Sequence, residues 1–210
     1  MKTRLLTILV TILLAFPAFL HAFSLEENIE LDRQGGCKVS VVMRLPDTCL
    51  LLYKAAMRIV NEDGGMGLLD EKGVRSYFNA FPQMKLESYH VFNRKGETMV
   101  QLQISAPDAE AAFATGALGR IAILPSKTQI GDTELHCLAP KLERQVPDIL
   151  RQRANSLANV VGGIRFIIRL TTPTALLGTS GKKTDYNRCT WEMTLDEILD
   201  NTTKDLNASW

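Results

Sequence analysis

The 210-residue sequence predicts one α+β domain, a largely antiparallel sheet packed with about four helices. Three observations predict it. Several stretches alternate apolar and polar residues with a period of two, as strands with one buried face do. Four others repeat apolar residues at the spacing of a helix face. Their order along the chain, β-α-α-ββ-α-ββ-α-βββ, groups the strands into hairpins rather than crossover units.

Met1-Lys2-Thr3-Arg4 is a basic start to the apolar run Leu5–Leu20, which Pro17 interrupts. The run is shorter than the roughly 20 apolar residues that a membrane-spanning helix needs. With Ala18 and Ala22 after the proline, residues 1–22 read as a signal peptide cleaved after Ala22. An uncleaved anchor is the competing expectation. Residues 23–210 then form the single exported domain, periplasmic or extracellular, with no stable membrane span after cleavage. Lys and Arg (24) nearly balance Asp and Glu (23), so charge gives no case for nucleic acid as a partner.

The four cysteines, Cys37, Cys49, Cys137 and Cys189, are an even number in an exported chain, which favours disulfides. Three pairings are open, and four buried thiols are the alternative. No two are spaced as a metal knuckle requires.

Ser24–Gln34 reads as a polar lead, and Gly35-Gly36 opens a strand with Cys37, Val39, Val41, Met43 and Leu45 on one face. Pro46 ends it, and Asp47 is placed to cap a helix over Cys49–Val60. That helix is apolar nearly all round, with Lys54, Arg58, Asn61 and Glu62 as its wet stripe. It either lines a cavity, with Leu51, Leu52, Ala55 and Ile59 as lining, or is central core. A second helix, 69–81, carries the stripe Val74, Tyr77, Phe78, Phe81. A hairpin follows, Lys85–Asn93 and Glu97–Ser105, with Gln101 and Gln103 on a wet face. Asp108 starts a short helix with Ala109, Ala112 and Phe113 inward. Ile121–Leu124 and Glu134–Leu138 form a strand pair about Gly131-Asp132. A longer helix from Pro147 places Leu150, Ala154, Leu157, Ala158 and Val161 at core spacing. Last comes a ribbon: a strand through Ile164, Phe166 and Ile168, a break at Thr172-Pro173, an exposed turn over Gly178–Lys183, and a return strand with Cys189, Trp191 and Met193 on one face. Trp191 is expected to be a structural core residue.

Chemistry-bearing residues are few. Beyond residue 22 the histidines are His90, mid-strand, and His136. His136 adjoins Cys137, but neighbours on a strand point to opposite faces, which separates any thiol–imidazole pair. GxSxG, HExxH and SxxK are absent. No catalytic residue, cofactor or metal site is therefore assigned. Asn61–Gly67 lacks the lysine of a phosphate loop and the alternating ligands of a calcium loop, and a helix-ending turn accounts for it. Ser180-Gly181-Lys182-Lys183 can hold an anion such as a lipid head group, although a solvated hairpin tip explains it as well.

Ile168-Arg169-Leu170-Thr171-Thr172-Pro173, the turn Gly178–Lys183, and Cys189-Thr190-Trp191-Glu192-Met193 resemble the closing segment of the LppM-type bacterial envelope domain. The hairpin Leu86–Ile104 and the helix from Asp108 come in similar order, so the resemblance covers about half the chain. It implies an exported α+β domain, commonly lipid-anchored, with lipid or glycolipid binding proposed for some members and no catalytic residues. This chain shows neither a lipidated cysteine nor a C-terminal membrane helix, and its two helices over 47–81 stand where strands would be expected.

The functional expectation is a non-enzymatic exported envelope protein that binds an apolar or lipid-like ligand. The alternatives are a protein–protein interaction or assembly module of the envelope working through the wet sheet face, and a secreted hydrolase of unfamiliar design.

Overall fold

A computed structural model describes residues 23–47, 50, 67–94, 96–118, 128–130, 133–137, 165–194, 197 and 202–210. Eleven strands and two helices lie within them: β1 Ser24–Leu31, β2 Cys37–Pro46, α1 Glu71–Asn79, β3 Lys85–Arg94, β4 Glu97–Ala106, α2 Ala109–Ala114, β5 Thr128–Ile130, β6 Glu134–Cys137, β7 Arg165–Thr171, β8 Gly178–Thr179, β9 Lys182–Asp185, β10 Arg188–Thr194 and β11 Leu206–Ser209. Seven strands form one sheet in the order β3-β4-β2-β1-β7-β10-β9, and four form a smaller one, β5-β6-β11-β8. β1 pairs parallel with β7, while the other described pairs are antiparallel.

The expected fold class is corrected here. The described residues are mostly β, with 55% strand against 15% helix, and hold two helices where about four were expected. The helices expected over Cys49–Val60 and from Pro147, and the strand at Ile121–Leu124, lie outside the described residues. The physical reason for the extra strand content is plain in three places. The polar lead is β1, the middle strand of the large sheet. The expected turn at Gly178–Lys183 contains β8 and the start of β9. The segment near the C-terminus adds β11.

The large sheet has a covered face and an open face, set by the pleat. On β2, Cys37, Val39, Val41, Met43 and Leu45 are buried, and Lys38 and Arg44 are exposed. On β4, Val100, Leu102, Ile104 and Ala106 face the core and Gln103 faces water. The hairpin β3–β4 pairs Val91 with Val100 and carries an irregularity between Leu86 and Ser88.

Helix α1 begins at Asp70, whose carboxylate accepts from the Gly73 amide at 3.0 Å, and Glu71 pairs with Arg75 one turn on. Its buried residues are Val74 and Phe78. The Tyr77 hydroxyl donates to the Ala117 carbonyl at 2.8 Å, and that of Tyr89 on β3 donates to the Leu68 carbonyl at 2.6 Å. The first ties α1 to the segment after α2, and the second ties the approach to α1 to the sheet. Asp108 caps the short α2 through the Ala111 amide at 2.9 Å.

The chain passes from the small sheet to the large one at Ser180-Gly181, between β8 and β9. Ser180 Oγ accepts from Trp191 Nε1 at 3.0 Å and from the Asn207 amide at 2.9 Å, and donates to the Asp205 carbonyl at 2.9 Å. One hydroxyl thus joins β10, β11 and the crossing. Gly181 lies against the indole: a Cβ there would stand 2.7 Å from Trp191 Nε1 and 2.8 Å from the Thr190 carbonyl oxygen. Gly181→Ala is therefore expected to destabilise the protein by about 1–3 kcal/mol through overpacking. Urea unfolding checks it, and an unchanged midpoint would contradict the close approach.

Candidate functional site

Leu25, Glu27, Ile29 and Leu31 share one side of β1, and Glu26, Asn28 and Glu30 share the other. The pairings on both flanks fix which side is which. Glu27 stands opposite Val41 of β2 and Ile168 of β7. Val41 is opposite Leu102, Leu102 opposite Tyr89, and Ile168 opposite Trp191. One row of the covered face therefore runs Tyr89, Leu102, Val41, Glu27, Ile168, Trp191. Its centre is a carboxyl group.

Glu27 is 0% exposed, and neither of its oxygens has a hydrogen-bond partner among the described residues. Burial pushes its pKa from 4.5 up to about 8, so the group holds its proton at neutral pH. Even neutral, a buried carboxyl without partners costs roughly 1–3 kcal/mol. The adjacent Glu26 shows what the open face offers instead. It accepts from Arg169 Nη1 at 2.7 Å and lies 3.8 Å from Arg44 Nε, while Arg169 also donates to Asn28 Oδ1 at 3.3 Å. A slip of one residue in β1 would exchange the two glutamates, so the register itself strands Glu27.

A protonated carboxyl can donate one hydrogen bond and accept others. The other members of its row carry no acid and no histidine, so the row offers no acid–base pair. Among the described residues no group of three His, Cys, Asp or Glu side chains is placed to hold a metal.

The sequence-predicted residues fall elsewhere or out of view. Leu51, Leu52, Ala55, Ile59 and Cys49 lie outside the described residues, as do residues 1–22. Trp191 is 6% exposed on β10. Cys37, Cys137 and Cys189 are all buried, and no disulfide joins these three to one another. Burial raises the Cys37 thiol to about 11, with Asp32 and Asp108 adding to it, and burial likewise raises Cys189. Such thiols are poor nucleophiles.

His90 is exposed. His136 lies on the outer face of the small sheet with Nδ1 hydrogen-bonded to Asn207 Oδ1, while Cys137 beside it is buried on the opposite face. A shallow hollow of about 460 Å³ surrounds His136, lined also by Gln129, Glu134, Thr179 and Ser209. A second, of about 580 Å³, lies between the Asp32–Gly36 turn, the start of α2 and Trp210. Neither includes Glu27.

Compared with known proteins, the chain matches no family model and no curated relative. Among solved structures it matches the folded domain of LppM from Mycobacterium tuberculosis, determined by NMR. That is the protein type the ribbon resembles. The match covers 90% of this chain and 91% of that one, at a TM-score of 0.48 and 11% identity. At that similarity it carries no ligand and no residue role across.

Glu27 was missed by sequence reasoning, although a signal for it exists. In Ser24–Leu31 the apolar residues Leu25, Ile29 and Leu31 keep a period of two, and Glu27 sits in phase with them. An acid in phase with an apolar face is a buried acid or a broken strand, and here it is the first.

Proposed function

We propose that this protein is an exported, non-enzymatic envelope protein that binds a lipid-like ligand by parting the packing over the covered face of the large sheet. The Glu27 carboxyl, fully buried without ligand, then meets the ligand's polar group. The observation that carries the reading is the stranded carboxyl. A buried polar group without a partner calls for an explanation, and a ligand oxygen or hydroxyl beside an otherwise apolar row supplies one. Export rests on the basic and apolar character of residues 1–22. Among the described residues no helix is long and apolar enough to cross a membrane.

The test is lipid extraction and mass spectrometry on protein purified gently from the envelope of its host. Parent protein and Glu27→Gln, which keeps a donor and an acceptor, are expected to retain the same lipid. Glu27→Leu is expected to retain less while folding at least as well. Equal retention by parent and Glu27→Leu would remove Glu27 from the site. No lipid in any sample would favour the assembly module instead, for which the charged strip Glu26–Arg169–Arg44 on the open face is the supporting feature.

A further inference from the structure

We propose that the rim formed by Leu177, Tyr186 and the cations beside them seats the protein on an anionic lipid surface. Leu177 is 81% exposed and Tyr186 65%, the most exposed large apolar side chains among the described residues. Such exposure on a wandering loop would mean little. Here the backbone beneath both residues is fixed. The Leu177 amide donates to the Ser209 carbonyl at 2.8 Å, and the Leu176 amide to the Tyr186 carbonyl at 2.9 Å. The Thr172 amide donates to the Asn187 carbonyl at 3.0 Å, and the Asn187 side chain returns a bond to the Thr172 carbonyl at 2.9 Å. Leu176 is buried by this arrangement and its neighbour Leu177 is turned outward.

Charge accompanies the apolar pair. Lys183 Nζ donates to the Leu176 carbonyl at 3.0 Å, which holds an ammonium group beside Leu177. Lys182 and Arg188 are exposed on the paired strands β9 and β10, and Asp185 is the acid between them. The stretch Lys182–Arg188 is thus net positive. Two apolar side chains are too little for a stable protein interface, which buries about 1,200 Å² or more. They suit a bilayer, where leucine enters the acyl boundary, a tyrosine ring rests at head-group depth and lysines meet lipid phosphates. This inference does not depend on the ligand at Glu27, and either can fail without the other.

The test places a reporter at the rim of the full chain. In Leu177→Trp the native Trp191 and Trp210 stay buried, so the new indole reports its own surroundings. With vesicles of phosphatidylglycerol containing brominated acyl chains, its emission is expected to shift to the blue and be quenched. With phosphatidylcholine alone the effect should be much smaller. Lys183→Gln is expected to weaken partitioning by about fivefold, from roughly 1 kcal/mol per cation near an anionic surface, and Lys182→Gln, on the opposite face of β9, by less. An unshifted, unquenched indole with phosphatidylglycerol would overturn the proposal, because the readout is local to residue 177. Equal quenching by both lipids, indifferent to the lysines, would overturn its electrostatic half. A solution dimer that Leu177→Ser abolishes without lipid would assign the rim to a second copy instead.

Discussion

Glu27→Gln is expected to abolish most of a pH dependence that the parent protein shows between pH 4.5 and about 8. The sign follows from which state holds the proton. Below pH 4.5 both the folded and unfolded chains carry a neutral Glu27. Between 4.5 and about 8 the folded chain keeps the proton that the unfolded chain has lost, so stability falls as pH rises through that window. Above about 8 the loss is complete. At about 1.4 kcal/mol per pH unit the full fall is on the order of 5 kcal/mol. Glutamine has nearly the same shape and no proton to lose, so the difference between variant and parent should grow from small near pH 5 to several kcal/mol near pH 9. Glu27→Leu should gain more, since it also removes the unpaired oxygens. Urea midpoints across that range decide the matter. Parallel curves for parent and Glu27→Gln would mean that the carboxyl finds a partner or water on folding.

Trp191→Ala is the second large effect. The indole is buried in the covered face, opposite Ile168 and flanked along β10 by the buried Cys189 and Met193. It also donates to Ser180 at the point where the chain changes sheets. Removing a core aromatic of this size costs about 3–5 kcal/mol. Trp191→Phe, which keeps most of the apolar area and loses the hydrogen bond, should cost less. A Trp191→Ala protein that unfolds at the parent's midpoint would show that the side chain serves a contact and not the core.

The parts of the fold legible in the sequence are those whose signal is local. β2 announces itself through Cys37 to Leu45, the β3–β4 hairpin through Val100, Leu102 and Ile104, α1 through Val74 and Phe78, and the β7–β10 pair through Ile168 and Trp191. What stayed hidden is non-local or short. The parallel pairing of β1 with β7 joins segments some 140 residues apart, as the bond between Arg169 and Glu26 records, and no window of sequence contains it. β5, β8 and β11 have two to four residues each, too few for a period to show, whereas β6 lies where a strand was expected at Glu134–Leu138. The hidden strand and the hidden site share a cause. Glutamates at 26, 27 and 30 made β1 look like a solvated lead, and one of those glutamates is the buried carboxyl.

The place of β1 in the strand order bears on how the chain is made. It stands between β2 and β7, so until residues 165–171 exist one whole edge of it is open. Contacts closed over so long a separation form late and slowly. An open strand edge in a nascent chain is a template for wrong partners, and charges along it are a known protection. With its ordinary carboxylate pKa in the unfinished chain, Glu27 is ionised there, a like-charge companion to Glu26 and Glu30. It takes up its proton when β7 arrives. The same side chain that weakens the finished sheet would keep the unfinished one soluble, and Glu27→Leu should gain stability at the expense of yield.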